Sequence, residues 1–93
     1  MPTVLVFHEV EDGERWAEGW RSRSGRRREM FAAIGVTART FRDPENPDNV
    51  GLILEVPDMD KLQALAGSDE AKRARAEDGL KTETIRILHE FTP

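Results

Sequence analysis

The chain has 93 residues and a formal net charge of −4 at pH 7, with 38% hydrophobic and 34% charged residues. This length fits a single domain, and we assign residues 1–93 to it. The absence of cysteine excludes disulfides, cysteine-ligated metal centres and a cysteine nucleophile. The acidic balance argues against a nucleic-acid partner, because dedicated nucleic-acid-binding domains are usually basic.

The sequence carries no recognisable targeting segment. No charged leader precedes an apolar stretch near the N-terminus, so we predict no signal peptide. No apolar run approaches the length that is needed to cross a bilayer. We therefore expect a soluble, cytoplasmic protein without a membrane partner.

The first half of the chain predicts a strand and a long helix. Residues 3–10 are rich in β-branched and aromatic side chains at both alternating sets of positions, which indicates a strand covered on both faces. Asp12 can cap the helix that follows, which we predict over residues 14–34, and Gly35 can end it. The middle of this helix contains poor helix formers around Gly25, so a break there is left open.

The second half predicts a hairpin, a helical region and a last strand. Residues 36–43 and 50–56 have strand character and are joined by a loop rich in proline, asparagine and aspartate. Asp58 and Ser68 can cap two consecutive helical segments. Residues 82–91 form the last predicted strand, with apolar residues alternating on one face.

The element order β-α-β-β-α-β is that of the ferredoxin-like split βαβ motif. It predicts an α+β fold in which a four-stranded antiparallel sheet has helices on one face. From the right-handed crossover rule we expect the first and third strands side by side in the centre, parallel to each other. The other face of the sheet is also apolar, so we expect a second copy of the chain to cover it.

Four stretches carry a resemblance to a known family. They are the first strand with its acidic turn and Trp16, the FRDPENP segment at 41–47, the EVPDMD segment at 55–60, and the GSDE segment at 67–70 that leads to Gly79. Over nearly its whole length the chain resembles the dimeric α+β barrel superfamily, which includes antibiotic-biosynthesis-monooxygenase-like proteins. The predicted first helix is about one turn longer than is usual in that family.

The resemblance implies a dimeric α+β barrel with a small-molecule pocket between sheet and helices in each subunit. The family's activities vary: some members are oxygenases that use no cofactor or haem, others are isomerases, decarboxylases or cyclases, and many have no known activity. Its haem enzymes need an axial ligand on a pocket-facing helix, and neither predicted helix carries a histidine. We therefore expect no cofactor.

Arg27 is the first candidate site residue. At about 100° per residue, a continuous helix returns Arg27 to within roughly 20° of Trp16, which places it in the apolar stripe. A guanidinium that faces a core needs a partner, because an unpaired buried charge is very costly. It could anchor an acidic ligand or stabilise an enolate, or it could turn outward or pair with a strand carboxylate such as Glu55.

His8 is the second candidate, as a catalytic acid or base near neutral pH at the end of the first strand. The alternative is a polar residue at a strand end without a catalytic role. We predict no metal site, because antiparallel pairing places His8 and His89 at opposite ends of their strands.

Three aromatic residues are candidates for ligand binding: Trp16, Trp20 and Phe31 lie on the apolar stripe of the predicted first helix. Tryptophans at helical spacing are more often part of a core, and both roles are compatible where a pocket is cut into that core.

These residues favour a homodimer that binds a small organic molecule. Its candidate enzyme activity, which rests on the family resemblance, is a cofactor-independent monooxygenase or cyclase reaction on an aromatic or polyketide-like substrate. The alternative is a non-catalytic dimeric scaffold or ligand sensor, in which the arginine-rich residues 21–28 contact an acidic partner. Whether the chain is an enzyme stays open at this point.

Overall fold

The computed structural model describes residues 2–21 and 26–93 as a four-stranded sheet with helices. The strands are β1 (Thr3–Glu9), β2 (Thr37–Arg42), β3 (Asn49–Glu55) and β4 (Arg86–His89). The helices are α1 (Gly13–Arg21), α2 (Arg26–Ala32), α3 (Met59–Ala66) and α4 (Asp69–Glu77), and a 3₁₀ turn (Thr82–Thr84) precedes β4.

The sheet confirms the predicted ferredoxin-like α+β fold. Its strand order is β2-β3-β1-β4, and all neighbouring strands are antiparallel. The expectation that the first and third strands run parallel is wrong, because β1 and β3 are antiparallel. The crossover through α1 and α2 leaves β2 parallel to β1 on the far side of β3. The hairpin between β2 and β3 then reverses the chain, so β3 opposes both neighbours.

Local side chains place the helix ends where the sequence predicts them. The Asp12 carboxylate accepts hydrogen bonds from the backbone N–H groups at the start of α1, and Asp58 does the same for α3. The Ser68 hydroxyl accepts one from the third residue of α4. Gly35 and Gly79 adopt φ values of 75° and 66°, the left-handed conformation that glycine tolerates without a Cβ clash.

The long first helix of the sequence prediction is two helices in the structure. α1 ends at Arg21 and α2 begins at Arg26, whereas one helix was predicted over residues 14–34. The predicted break near Gly25 lies outside the described residues. The rings of Trp20 in α1 and Phe31 in α2 stack at 6.0 Å, whereas a straight helix would separate residues eleven apart by about 16 Å along its axis. A helical phase counted from Trp16 therefore does not reach Arg27, whose position depends on how α2 packs.

The helices cover one face of the sheet, and the other face is exposed in the single chain. One face packs against the helices and forms the core, whose buried members on the strands include Val4, Leu52 and Leu54. The opposite face, here called the open sheet face, carries large apolar side chains that remain exposed in the single chain: Leu5, Phe7, Phe41 and Leu88. The cross-strand pairs Phe7–Gly51 and Gly51–Phe41 bring two of these rings to neighbouring positions.

Candidate functional site

A cavity of about 340 Å³ lies between the helix-covered face of the sheet and the helices. Its walls come from the three strands β1, β3 and β4 and from all four helices. The residues singled out from the sequence as site candidates all line it: His8, Trp16, Trp20, Arg27 and Phe31. The tertiary structure therefore brings together residues from β1, α1 and α2 around one space.

One wall of the cavity is aromatic. The ring centroids of Trp16 and Trp20 are 6.2 Å apart with the planes tilted by 51°, and Trp20 stacks on Phe31 at 6.0 Å and 15°. Both tryptophans are almost fully buried. This geometry is within the usual range for favourable aromatic pairs. The three rings thus serve as part of the core and as cavity wall at once.

Arg27 is held by Asp78, the residue that caps the C-terminal end of α4. Arg27 Nε donates to Asp78 Oδ2 at 2.8 Å, and Nη2 contacts Oδ1. Nη2 also donates to the Ala74 carbonyl at 3.5 Å. The two side chains are only 13% and 8% exposed. Of the alternatives left open for Arg27, the ion pair is therefore formed, but its partner lies at the end of a helix and not on a strand. Glu55 instead accepts a hydrogen bond from Thr3.

α1 packs closely against the same guanidinium. Gly19 lies beside it, and a Cβ at that position would be 3.0 Å from Arg27 Nη1 and 3.1 Å from Cζ. These distances are shorter than ordinary van der Waals contacts. Gly19, a poor helix former in the middle of α1, therefore makes the space in which Arg27 reaches Asp78.

His8 is a buried histidine of the cavity wall, with 4% of its surface exposed. Burial lowers the pKa of His8 below 6.5, because the desolvated ring carries a charge only at a cost. The main-chain carbonyl of Glu9 and the carboxylate of Asp78 oppose this effect. The ring is therefore neutral at pH 7, the state that can accept a proton from a ligand.

Burial also raises the pKa of Asp78, and the Arg27 guanidinium opposes this rise. Both carboxylate oxygens face donor nitrogens of Arg27, which is the arrangement of an ionised carboxylate with a guanidinium. The pair therefore places one positive and one compensating negative charge in the cavity wall.

Two polar atoms in residues of the cavity wall lack partners. His8 Nδ1 and Trp20 Nε1 are buried, and neither has a hydrogen-bond partner with good geometry within residues 2–21 and 26–93. An unsatisfied buried polar group costs about 1–3 kcal/mol. A ligand with a hydrogen-bonding group near His8 and Trp20 would offset part of that cost.

The remaining cavity wall is mainly apolar, and part of it opens to solvent. α3 contributes Met59, Leu62 and Leu65, which are only half-buried because their apolar side faces the cavity. Ile87 of β4 lines the cavity with 55% of its surface exposed. The site can therefore take up an apolar molecule of modest size without first unfolding a helix.

Asp78 is the site residue that sequence reasoning missed. No role was predicted for it from the sequence. A carboxylate at a helix C-terminus opposes the helix dipole, so its position there was a usable signal that another interaction holds it.

Two classes of site receive no support from the described residues. No group of three or more histidine, aspartate or glutamate side chains in residues 2–21 and 26–93 is arranged to hold a metal ion. Within the same ranges, no helix has the length and apolar character to cross a membrane.

Comparison with known proteins finds similarity at the level of structure. No family model and no curated protein matches the sequence. A crystal structure of an antibiotic biosynthesis monooxygenase aligns over 100% of this chain and 99% of its own, with a TM-score of 0.66 and 14% identity. A Bordetella bronchiseptica protein provisionally named antibiotic biosynthesis monooxygenase aligns over 99% and 96%, with a TM-score of 0.74 and 15% identity.

A third similar structure is a dimeric ferredoxin-like protein of unknown function from Jannaschia sp.. It aligns over 98% of each chain, with a TM-score of 0.62 and 16% identity. At these identities the likeness concerns the fold. The resemblance to antibiotic-biosynthesis-monooxygenase-like proteins is therefore confirmed for the fold over the full chain length.

Proposed function

We propose that the chain is a homodimeric pocket protein that binds a small aromatic or polyketide-like molecule between its sheet and its helices. The observation that carries this proposal is the cavity of about 340 Å³, which is bounded by two tryptophans and contains a buried histidine. Cavities of this size and apolar character are typical of sites for small organic molecules. The stacked Trp20 and Phe31 rings favour a flat ligand.

The homodimer is supported by the open sheet face and by the dimeric state of the Jannaschia protein. A depression of about 350 Å³ on that face is lined by Leu5, Phe7, Phe41 and Ile53, among others. Apolar surface of this kind is usually covered in a functional assembly. Two copies packed face to face through the sheets would remove it from water and leave the cavity of each subunit on the outer side.

The chemistry that the site supports is proton transfer from a phenolic or enolic ligand. His8 would accept the proton as a neutral base, and the indole N–H of Trp20 would donate a hydrogen bond to the ligand oxygen. An activated phenolate or enolate could then react with molecular oxygen or attack a carbonyl of the same molecule. The two reaction classes to test are therefore cofactor-independent oxygenation and cyclisation. The first is supported by two similar structures that carry the name antibiotic biosynthesis monooxygenase.

The test combines binding with turnover. The purified protein is incubated in air, without added cofactor, with a panel of hydroxynaphthalenes and hydroxyanthracenes, and oxygen uptake and product masses are recorded. We expect His8→Gln to lower turnover by about 100-fold or more, as is usual when a general base is lost, with affinity changed only a few-fold. His89→Gln removes the other histidine of the chain, which lines the same cavity but is exposed to solvent, and should lower turnover far less. Equal turnover in wild type and His8→Gln would remove the assignment of His8.

The alternative of a scaffold that binds an acidic partner through residues 21–28 finds less support. Arg21 pairs with Glu14 and Glu18, Arg27 with Asp78, and Arg28 donates to the Trp20 carbonyl at 2.7 Å. These three guanidinium groups are engaged inside the chain, and a partner would have to displace those contacts. The other two arginine side chains of the run lie outside the part that the structure describes. Charge reversal at Arg21 should accordingly leave ligand binding unchanged.

A further inference from the structure

Arg27 and Arg75 are arginines of the cavity wall that could hold an acidic ligand, and the environment of Arg27, the one at the buried end, argues against that role for it. Asp78 accepts hydrogen bonds from both Nε and Nη2, which form one of the two edges by which a guanidinium can bind a carboxylate in a bidentate manner. Nη2 is shared further with the Ala74 carbonyl. The opposite side of the group abuts Gly19 of α1.

A second carboxylate entering this space would meet a guanidinium whose charge is already compensated. It would also approach the Asp78 carboxylate, and repulsion between like charges in a desolvated site is strong. His8 offers no positive charge at neutral pH, because its pKa is lowered by burial. An uncharged ligand is not repelled by the Asp78 carboxylate, and it still makes the aromatic and apolar contacts of the cavity wall.

We propose that Asp78 makes the cavity selective for uncharged ligands, because it occupies the carboxylate-binding edge of Arg27. This inference rests on the proposed ligand-binding function and names the charge class of its ligand. It also predicts a switch: a neutral side chain at position 78 frees Arg27, and the cavity gains affinity for aromatic carboxylates.

The test uses 2-naphthamide and 2-naphthoate, which share one shape and differ in charge. Isothermal titration calorimetry at pH 7 gives the dissociation constant of each for wild type and for Asp78→Asn. We expect wild type to bind the amide at least about tenfold more tightly than the carboxylate, which is about 1.4 kcal/mol. In Asp78→Asn the ratio of the naphthoate to the naphthamide dissociation constant should fall by at least about tenfold.

Two further variants show which group causes the switch. Asp60→Asn removes the same charge from an exposed position of α3 outside the cavity wall, and it should keep the wild-type preference. Arg27→Gln/Asp78→Asn replaces the ion pair by two neutral amides, and it should lose the gain in naphthoate affinity. If Asp78→Asn does not fold, the wild-type preference and the double variant still test the proposal.

The inference is overturned if wild type binds naphthoate as tightly as naphthamide, or if Asp78→Asn folds and keeps the wild-type preference. It is also overturned if the gain persists without Arg27, because another cation such as Arg75 would then hold the carboxylate. Failure of both probes to bind any variant would count against the ligand-binding function itself. That result differs from binding without preference, which counts against the role of Asp78 alone.

Discussion

Arg27 near the start of α2 and Asp78 at the end of α4 form a largely buried ion pair across 51 positions of sequence, with Nε donating to Oδ2 at 2.8 Å. The pair connects α2, which follows β1 in the chain, to the end of α4, which follows β3. It acts together with the apolar cluster of Met30, Ala71 and Ala74, which joins the same two helices, since no disulfide is available in a chain without cysteine.

The first prediction concerns the stability that depends on this pair. Asp78→Ala should lower the free energy of unfolding by about 3 kcal/mol, because it leaves a buried guanidinium without its partner. Arg27→Met/Asp78→Leu should cost much less than either single loss, since no uncompensated charge remains. Urea denaturation followed by tryptophan fluorescence measures both. Glu14→Ala, which breaks exposed ion pairs with Arg21 and Arg42, serves as the control and should have a much smaller effect.

A double variant as destabilised as Asp78→Ala would contradict this account. It would mean that the shape of the two side chains, rather than their charges, determines how α2 packs against α4.

The second prediction concerns pH. Because burial lowers the pKa of His8 below 6.5, the unfolded state binds a proton at this residue before the folded state does. The free energy of unfolding should therefore fall as the pH is lowered from 6.5 through the folded-state pKa of His8, and it should level off below that value. Asp78 acts with the opposite sign between pH 3.8 and its own folded-state pKa, because burial raises that pKa.

Comparison with His8→Gln isolates the contribution of His8. The wild-type curve should be steeper than the curve of the variant between pH 6.5 and the folded-state pKa. An NMR titration of His89→Gln, which retains one histidine, gives that pKa directly. A His8 resonance that titrates at or above 6.5 would disprove the predicted direction.

The third prediction concerns Gly19. Alanine normally stabilises a helix interior by about 1 kcal/mol relative to glycine. At position 19 its Cβ would press on the Arg27 guanidinium at 3.0 Å, so we expect Gly19→Ala to destabilise the protein and to loosen the ion pair. Thermal unfolding monitored by circular dichroism tests the sign.

Gly67→Ala is the matched control for Gly19→Ala. Gly67 ends α3 in a right-handed conformation with φ of −87°. Beyond its chain neighbours, the nearest described atom to an added Cβ there would be the Gln63 carbonyl oxygen at 3.7 Å. It should be neutral or stabilising. If both variants shift the melting temperature alike, the contact between Gly19 and Arg27 has no energetic weight.

The fourth prediction concerns the proposed dimer. Phe7→Glu places a charge in the middle of the open sheet face, opposite Gly51 and beside Phe41, and burying it between two sheets would be costly. We expect sedimentation equilibrium to show a dimer for wild type and a monomer for this variant. Ala64→Glu adds the same charge to an exposed position of α3 and should stay dimeric. A Phe7→Glu dimer would place the interface elsewhere.

The sequence alone determined most of the fold, because its signals are local. Alternating apolar residues in the segment of β1, the side-chain caps Asp12, Asp58 and Ser68, and Gly35 after α2 each act within a few residues. Their order leads to the split βαβ topology. The expected parallel pairing of β1 and β3 was wrong, because the hairpin between β2 and β3 reverses the chain after the crossover and leaves β3 antiparallel to β1.

Part of the candidate site could be predicted from the sequence, and part of it only became visible in the tertiary structure. His8, Trp16 and Trp20 could be chosen from the sequence, because apolar periodicity marks the inward positions of β1 and α1. The partner of Arg27 could not, since an ion pair between α2 and α4 depends on how two helices pack on the sheet. Only the tertiary structure showed that Asp78, rather than Glu55 or a ligand, compensates the buried guanidinium, because desolvation makes such a pairing necessary without specifying the residue that provides it.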